Sequence, residues 1–177
     1  MIMDIAQAYQ KTFAGYPWFE GYKCSVCGDG FPLTHTEKTC TKCSTLGKPV
    51  LLVDYWPIDT IISDFNKEMA KHGAICVVAK SDGKVIGFTW GYNVLGNPEL
   101  DVHLDAPGIH RAVSGEQFYL DEVAVTPAYQ KNKIGSELVT KILSEQTHKQ
   151  VILRTKEEGP MFNLVIKMGG EVIQRIT

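Results

Sequence analysis

Four cysteines within a stretch of twenty residues constrain this chain more than any other feature. Cys24 and Cys27 form one Cys-x-x-Cys unit, Cys40 and Cys43 form a second, and twelve residues separate the two units. Zinc takes four ligands in a tetrahedron, and each Cys-x-x-Cys turn presents two thiolates from one tight knuckle. Two knuckles fill the shell and leave no position for water. The spacing therefore predicts a structural rather than a catalytic zinc site.

Disulfides and redox chemistry are the two other uses of such cysteines. Two disulfides would require an oxidising compartment, and the N-terminus lacks the basic and apolar regions of a secretory signal. A redox-active Cys-x-x-Cys usually opens a helix after a strand, and a matched pair argues against it. We therefore expect zinc and a cytoplasmic protein. We expect His35, between the knuckles, to be a loop residue, and the fifth cysteine, Cys76, to be buried in a strand.

Composition excludes several classes of protein. The 177 residues are 44% hydrophobic and 21% charged, close to the averages of globular proteins. Eighteen basic and twenty acidic residues give a net charge of −2, which disfavours nonspecific binding to nucleic acid or to a membrane surface. No apolar run approaches the roughly 20 residues of a membrane span. We therefore expect neither a nucleic-acid partner nor a membrane.

Hydrophobic periodicity predicts alternating helices and strands along the chain. Asp82-Gly83, between two β-rich runs, is typical of a hairpin turn. The long stretch 93–117 predicts a functional loop with one short helix near His110. The order favours a mixed sheet with helices on its faces, an α/β (α+β) fold. Helices are predicted at 4–14, 57–73, 134–143 and 160–168, and strands at 50–53, 74–80, 84–92, 118–125, 151–153 and 171–176.

The segment 120–136 predicts a site for phosphate groups. It reads as strand, turn, loop and helix N-terminus, where unpaired N–H groups and the helix dipole favour anions. Gly135 and Ser136 keep the first turn open, and Lys131 and Lys133 add positive charge. The segment matches neither the nucleotide P-loop nor the dinucleotide fingerprint. It therefore suits a pyrophosphate-bearing cofactor, with an ordinary polar β–α loop as the alternative.

This segment resembles motif A of the GNAT superfamily of acyl-CoA-dependent N-acyltransferases. The runs Val125-Thr126-Pro127-Ala128-Tyr129-Gln130 and Ile134-Gly135-Ser136 follow the family pattern. The order of elements from residue 57 onward, with a last helix ending at Gly169-Gly170, is also similar, so the resemblance covers about two thirds of the chain. It implies a GNAT-like domain formed by an N-terminal helix in 1–19 and by 49–177, with a zinc-ribbon-like insert at 20–48.

The resemblance implies direct transfer of an acetyl group from acetyl-CoA to an amine acceptor. Glu122 matches the position of a general base in several members of the family, and a homodimer would fit because relatives are frequently dimeric. The strand backbone at 123–125 would pair with pantetheine, the loop N–H groups would hold pyrophosphate, and a helix asparagine would also bond CoA. The implied cofactor-binding residues are Val123, Ala124, Val125, Gln130, Lys131, Asn132, Lys133, Ile134, Gly135, Ser136 and Asn163.

The sequence departs from the family pattern in three ways, and the first two support a second interpretation. Lys133 replaces the first family glycine, Val165 stands where many members have a thiolate-protonating tyrosine, and no clear strand precedes the first helix. The alternative is a catalytically inactive GNAT-like scaffold with a zinc ribbon that binds CoA or protein.

The candidate base also has an alternative interpretation. Glu122 could be a strand carboxylate that faces solvent or pairs with lysine. Strand alternation places Asp121 on the opposite face, so we do not expect the two to act together. His103, His110 and Tyr119 are weaker candidates for the acceptor side.

Overall fold

The computed structural model describes residues 1–44 and 48–175. Its helices are α1 (Ile2–Phe13), α2 (Ile58–Met69), α3 (Pro98–His103), α4 (Ile134–Glu145) and α5 (Pro160–Lys167). Its strands are β1 (Tyr22–Cys24), β2 (Gly30–Phe31), β3 (Leu52–Asp54), β4 (Ile75–Ser81), β5 (Lys84–Leu95), β6 (Glu116–Val125) and β7 (Val151–Ile152). Short 3-10 turns lie at Ile109–Ala112 and Pro127–Tyr129. No helix in the described ranges is long and apolar enough to cross a membrane.

The main sheet has the strand order β4-β5-β6-β7 and confirms the predicted mixed topology. The first two strand pairs are antiparallel and β6 pairs with β7 in parallel. The predicted hairpin is present, with left-handed Asp82 and Gly83 in its turn. Helices α1 and α2 cover one face, where Tyr9 and Phe13 pack against Phe88 of β5. Helix α4 covers the other face.

A second, three-stranded sheet surrounds the cysteines, in the order β2-β1-β3. The strand predicted at 50–53 is present as β3, but it pairs with β1 through Cys24 and Leu52 rather than with the main sheet. The small sheet therefore extends past residue 48, where the sequence division placed the end of the insert. The division of the chain into a main domain (1–19 and 49–177) and an insert (20–48) stays a prediction.

The long loop is more ordered than its sequence indicated. Strand β5 continues to Leu95 and β6 begins at Glu116, so the strands take both ends of the stretch 93–117. The expected short helix near His110 is a 3-10 turn, and α3 is an additional helix. The predicted last strand is absent at 171–175, and Ile176 lies outside the described residues. No described strand pairs with this segment, and the Ile173 side chain is half exposed, so the alternating pattern was not sufficient to form a strand.

Asp101 holds the middle of this loop together. One carboxylate oxygen accepts hydrogen bonds from the His110 N–H and Nδ1 at 2.9 and 2.8 Å, and the other accepts from the Gly108 N–H at 2.6 Å. Burial raises the Asp101 pKa, but these donors more than offset it and lower the pKa to about 2. His110 therefore has a structural partner, and the closed loop positions His103 at the end of α3.

Candidate functional site

A β-bulge in β6 determines where two acidic side chains lie. Trp90 of β5 pairs with Glu122, whereas the next residue, Gly91, pairs with Leu120, so Asp121 is the extra residue. A bulge interrupts the two-residue alternation of a strand. Asp121 and Glu122 therefore both contact the face covered by α1 and α2. The prediction that they lie on opposite faces was wrong for this reason.

Two aromatic donors hold these carboxylates. The Tyr9 hydroxyl of α1 donates to Glu122 Oε1 at 3.1 Å, and Trp90 Nε1 donates to Asp121 Oδ2 at 3.0 Å. The rings of Tyr9 and Trp90 are stacked with centroids 6.2 Å apart. Nothing in the sequence indicated that Tyr9 belongs to this site, because it lies 113 positions from Glu122.

The surroundings of Glu122 make it a better proton acceptor than an ordinary carboxylate. Burial, and then the negative charge of Asp121, raise its pKa well above the usual value, although the Tyr9 hydrogen bond opposes them. Burial likewise raises the pKa of Asp121, while the Trp90 hydrogen bond lowers it. In the described part of the chain Glu122 forms no ion pair, so pairing with lysine does not explain its position.

A second polar group lies beside the bulge, on the same face of the sheet. Tyr92 Oη and His103 Nε2 are 2.9 Å apart, and the Lys71 ammonium lies 3.8 Å from the centre of the Tyr92 ring. Burial and the Lys71 charge lower the His103 pKa, which favours a neutral imidazole. Tyr119 packs edge-on against Tyr92 and His103. Of the three weaker candidates, His103 and Tyr119 thus lie together, and His110 does not join them.

The outer edge of β6 is open beyond the bulge. Strand β7 pairs only with Phe118 and Tyr119, so no described strand lies beside the edge formed by 123–125. An exposed strand edge can bind an extended chain through backbone hydrogen bonds. The predicted pantetheine contacts, Val123, Ala124 and Val125, therefore lie on a free edge that begins at Leu120, and they directly follow Glu122 in the strand.

Two lysines of the predicted phosphate loop have a left-handed backbone. Lys131 and Lys133 both have left-handed φ angles, 65° and 64°, and Lys133 precedes the first residue of α4. Lysine thus occupies the glycine conformation at this position. The side chains of Gln130 and Asn132 brace the loop by donating to the carbonyls of Val125 and Tyr129. The first turn of α4, with Ile134, Gly135 and Ser136, follows directly.

Helix α5 carries the last two predicted positions. Asn163 is exposed on its first turns. Val165 packs against Gly170, where the chain turns after the helix at left-handed Gly169. A valine side chain has no proton to donate, so Val165 cannot act as a general acid.

The four predicted metal ligands come together. All four sulfur atoms lie within 4.8 Å of one another, and the pairs Cys24–Cys43 and Cys27–Cys40 are 3.8 Å apart. Zinc–sulfur bonds of about 2.3 Å in a tetrahedron place sulfurs about 3.8 Å apart, whereas a disulfide needs about 2.05 Å. The donor set therefore fits zinc.

Backbone N–H groups of both knuckles point at cysteine sulfurs. The N–H groups of Val26 and Cys27 point at Cys24 Sγ, and the Cys43 N–H points at Cys40 Sγ, each at 3.4 Å. The Cys27 N–H, followed by the Val26 N–H, lowers the Cys24 pKa to about 6, whereas the Cys27 thiol and burial raise the Cys43 pKa to about 12. His35 bonds to the Thr39 carbonyl instead, as expected of a loop residue. Cys76 lies in β4, and burial raises its pKa to about 11.

Substitution of Lys133 tests the backbone strain in the phosphate loop. A left-handed non-glycine residue costs roughly 1–3 kcal/mol, so Lys133→Gly should unfold at higher urea concentration than Lys133→Ala. Both variants lose the ammonium group, but only glycine relieves the backbone strain. Part of that gain in stability is offset because glycine loses more conformational entropy on folding than alanine does. We expect the glycine variant to be about 1 kcal/mol more stable than the alanine variant. Equal urea midpoints would show that the loop carries no such strain.

Known proteins are similar to this chain in sequence and in fold. The profile of the acetyltransferase (GNAT) family matches residues 43–159. The fold is similar to that of the aminoglycoside N-acetyltransferase AAC(6')-Iy in complex with CoA, with a TM-score of 0.51, 16% identity, and coverage of 68% of this chain and 75% of that one. A protein of Pyrococcus furiosus assigned as an acetyl transferase has a TM-score of 0.51 and 17% identity, over 71% of this chain and 78% of that one. Curated proteins include no significant match.

Proposed function

The chain belongs to the GNAT acetyltransferase family, and from that premise we propose that it transfers an acetyl group from acetyl-CoA to an amine acceptor by direct attack. One observation carries this proposal. Glu122, a carboxylate with a raised pKa, directly precedes residues 123–125 of the open strand edge, on which pantetheine would lie. This order supports a proton acceptor beside the end of the cofactor arm that would carry the thioester.

In this mechanism Glu122 acts as the general base. An amine is mostly protonated at neutral pH and must lose a proton before it can attack. The Glu122 carboxylate takes that proton, the amine nitrogen forms a bond to the acetyl carbonyl carbon, and the carbon–sulfur bond breaks. The sulfur leaves as a thiolate, which a thiol pKa of about 8.5 permits without a side-chain acid. The nitrogen loses its second proton to this thiolate or to water as the amide forms. The absence of a tyrosine at Val165 is therefore compatible with turnover.

The other end of the cofactor would bind at the start of α4. The N–H groups from Lys131 to Ser136 would hold the pyrophosphate, with the lysine side chains adding positive charge. Gln130 and Asn132 act through the loop rather than on the phosphates, because their amides donate to loop carbonyls. Asn163 is exposed on α5 and is free to bond CoA.

We further propose that Cys24, Cys27, Cys40 and Cys43 hold one structural zinc ion. Four thiolates leave no open coordination position, so the ion supplies folding energy and no chemistry. A cytoplasmic location and a homodimer complete the proposal.

An inactive scaffold that binds CoA without turnover is the second candidate, and Val165 favours it. Lys133 supports it less than the sequence suggested, because this residue already has the backbone conformation of the glycine it replaces. The two candidates differ in whether acetyl-CoA is consumed.

Calorimetric titration with acetyl-CoA tests cofactor binding, which the acetyltransferase and the inactive scaffold have in common. We expect a dissociation constant in the range of roughly 1 µM to 1 mM. A Cβ at Gly135 would have only Val125 Cγ2 nearby, at 3.8 Å, so substitutions there should fold. Gly135→Asp should bind at least about tenfold more weakly, because its carboxylate would repel the pyrophosphate, while the carboxylate itself suits a helix N-terminus.

Gly135→Ala is the matched control and should bind within a few-fold of the wild type. Absence of binding at millimolar acetyl-CoA would refute the proposal. Thiol release across a panel of amines then separates the candidates, since intact binding without release would establish the scaffold.

A further inference from the structure

A buried hydroxyl group holds the backbone at the bulge of β6. Thr89 of β5 is completely buried, and its Oγ1 donates a hydrogen bond to the Glu122 carbonyl at 2.8 Å. Thr89 is also the register partner of Val123. One side chain of the neighbouring strand therefore bonds to the backbone of the proposed base and lies opposite the first of the predicted pantetheine contacts.

The hydroxyl reaches this carbonyl from the face opposite to the carboxylate. Phe88 and Trp90, on either side of Thr89 in the strand, pack on the face that α1 and α2 cover. Alternation along the strand places Thr89 on the other face, which α4 covers. The Glu122 backbone is thus held from one face of the sheet while its side chain lies on the other.

This bond lies where the backbone pairing is irregular. The register of β5 and β6 changes between Trp90 and Gly91, directly beside Thr89, and Asp121 is left as the extra residue. A bulge disrupts the ladder of backbone hydrogen bonds locally, so the hydroxyl adds a fixed contact at this point. Packing alone does not require it, because a valine would fill the same space with no polar group to bury.

Tyr9, the partner of the carboxylate, is held independently of Glu122. Its ring is stacked with that of Trp90 and meets the Trp56 ring edge-on, with centroids 6.2 and 5.9 Å away. Trp56 is itself fixed, because its Nε1 donates to Glu20 Oε2 at 2.8 Å. The position of the Tyr9 hydroxyl is therefore set by ring packing, and the distance from this hydroxyl to the base depends on how β6 is held.

The groups that face the carboxylate come from three elements and from the segment after α1. Burial, followed by the charge of Asp121 on β6, raises the Glu122 pKa, and the hydrogen bond from Tyr9 on α1 lowers it. The charges of Glu20, after α1, and of Glu68 on α2 raise it further. Of these groups, only Tyr9 favours the ionised form of the base.

We propose that Thr89 is a positioning residue for the proposed reaction, because its hydroxyl fixes the Glu122 backbone at the bulge and so keeps the carboxylate at the Tyr9 hydroxyl. This inference rests on the proposed function, which gives Glu122 the role of the base. Thr89 carries no charge, and among the described residues its hydroxyl bonds to the Glu122 carbonyl alone. It therefore acts on the carboxylate through the backbone.

NMR titration of the Glu122 carboxyl carbon, without acetyl-CoA, tests this proposal independently of turnover. The resonance is identified by its absence from the spectrum of Glu122→Gln. Thr89→Val keeps the shape of the side chain and removes the hydroxyl. Because the carboxylate then loses the Tyr9 bond that lowers its pKa, it should titrate at higher pH than in the wild type. Thr89→Ser keeps the hydroxyl and should titrate as the wild type does.

Turnover should follow the same order. Thr89→Val should lower kcat about 10- to 100-fold, because a small misplacement of a catalytic group is costly. The KM for acetyl-CoA should stay within about threefold, since the strand edge that would bind it keeps its backbone pairing. The acidic limb of the pH profile should move to higher pH in Thr89→Val and stay in place in Thr89→Ser. A role in stability alone would lower the melting temperature without moving this limb.

A double variant shows whether the two hydroxyl groups act through one bond. If they do, Tyr9→Phe combined with Thr89→Val should titrate at no higher pH than Tyr9→Phe alone. Thr12→Val is the control, because Thr12 Oγ1 donates to the Ala8 carbonyl of α1, also at 2.8 Å. It makes the same chemical change away from β6 and should leave the titration and turnover unchanged.

A Thr89→Val variant that titrates at the pH of the wild type would overturn the proposal, and so would equal shifts in Thr89→Val and Thr89→Ser. Thr89→Ala, which also lacks the hydroxyl, should show the same shift and replaces the valine variant if that variant does not fold. A shifted titration without thiol release from the wild type would refute the acetyltransferase and leave the positioning of Glu122 in place. Thiol release with an unshifted titration in Thr89→Val would refute the positioning role alone.

Discussion

Cys40→Ser should release the metal and unfold the four-cysteine module, the largest effect on stability that we expect from one substitution in this chain. Among the described residues, the buried core of the module consists of Cys24, Cys40 and Leu52, so two of these three are proposed metal ligands. Without the ion, little apolar burial remains to offset the entropy of ordering the module. Structural zinc contributes roughly 10–16 kcal/mol of apparent binding energy in zinc-finger peptides.

Zinc content and thermal unfolding provide the measurement. The wild type purified with a thiol reductant should carry one zinc per chain, and the variant should carry none. Cys76→Ser is the control, because Cys76 lies in β4 of the main sheet and should leave the zinc in place. A metal-free wild type, or a variant with unchanged zinc and melting temperature, would refute the assignment.

The same variant separates the module from the cofactor site. The open edge 123–125 and the loop 131–136 lie on the main sheet and on α4, away from the cysteines in the chain. We therefore expect Cys40→Ser to bind acetyl-CoA within about threefold of the wild type.

The sequence was informative wherever the signal was local. The cysteine spacing predicted the four-sulfur cluster, and the Asp82-Gly83 pair predicted the hairpin. The motif around 125–136 predicted the strand, loop and helix that the structure contains. Each of these patterns spans few residues and depends on backbone geometry that those residues specify themselves.

Long-range packing could not be predicted in this way. Tyr9, Trp56 and Glu20 approach the bulged strand from distant parts of the chain, and no local pattern marks them. The bulge itself left one signal, Gly91, because glycine inside a strand often marks a bulge or a close approach. A Cβ there would collide with the Phe118 ring and the Tyr119 carbonyl. The prediction assumed strict two-residue alternation along β6, and it therefore assigned Asp121 to the face opposite Glu122, which is wrong.

Glu122→Gln should reduce turnover by a factor of about 10² to 10⁴, the usual contribution of a general base. Acetyl-CoA affinity should stay within a few-fold, because the glutamine keeps the size of the side chain and can still accept the Tyr9 hydrogen bond. Steady-state thiol release and calorimetry measure the two quantities separately. Unchanged turnover in this variant would remove Glu122 as the base.

The pH dependence of the wild type gives a sharper test, because the base must be ionised to act. Turnover should fall as pH decreases through the raised pKa of Glu122. Tyr9→Phe removes a hydrogen bond that lowers this pKa, so the acidic limb should move to higher pH. Asp121→Asn removes a negative charge that raises the pKa, so the limb should move to lower pH. Shifts in the same direction, or a limb that neither variant moves, would mean that another group accepts the proton.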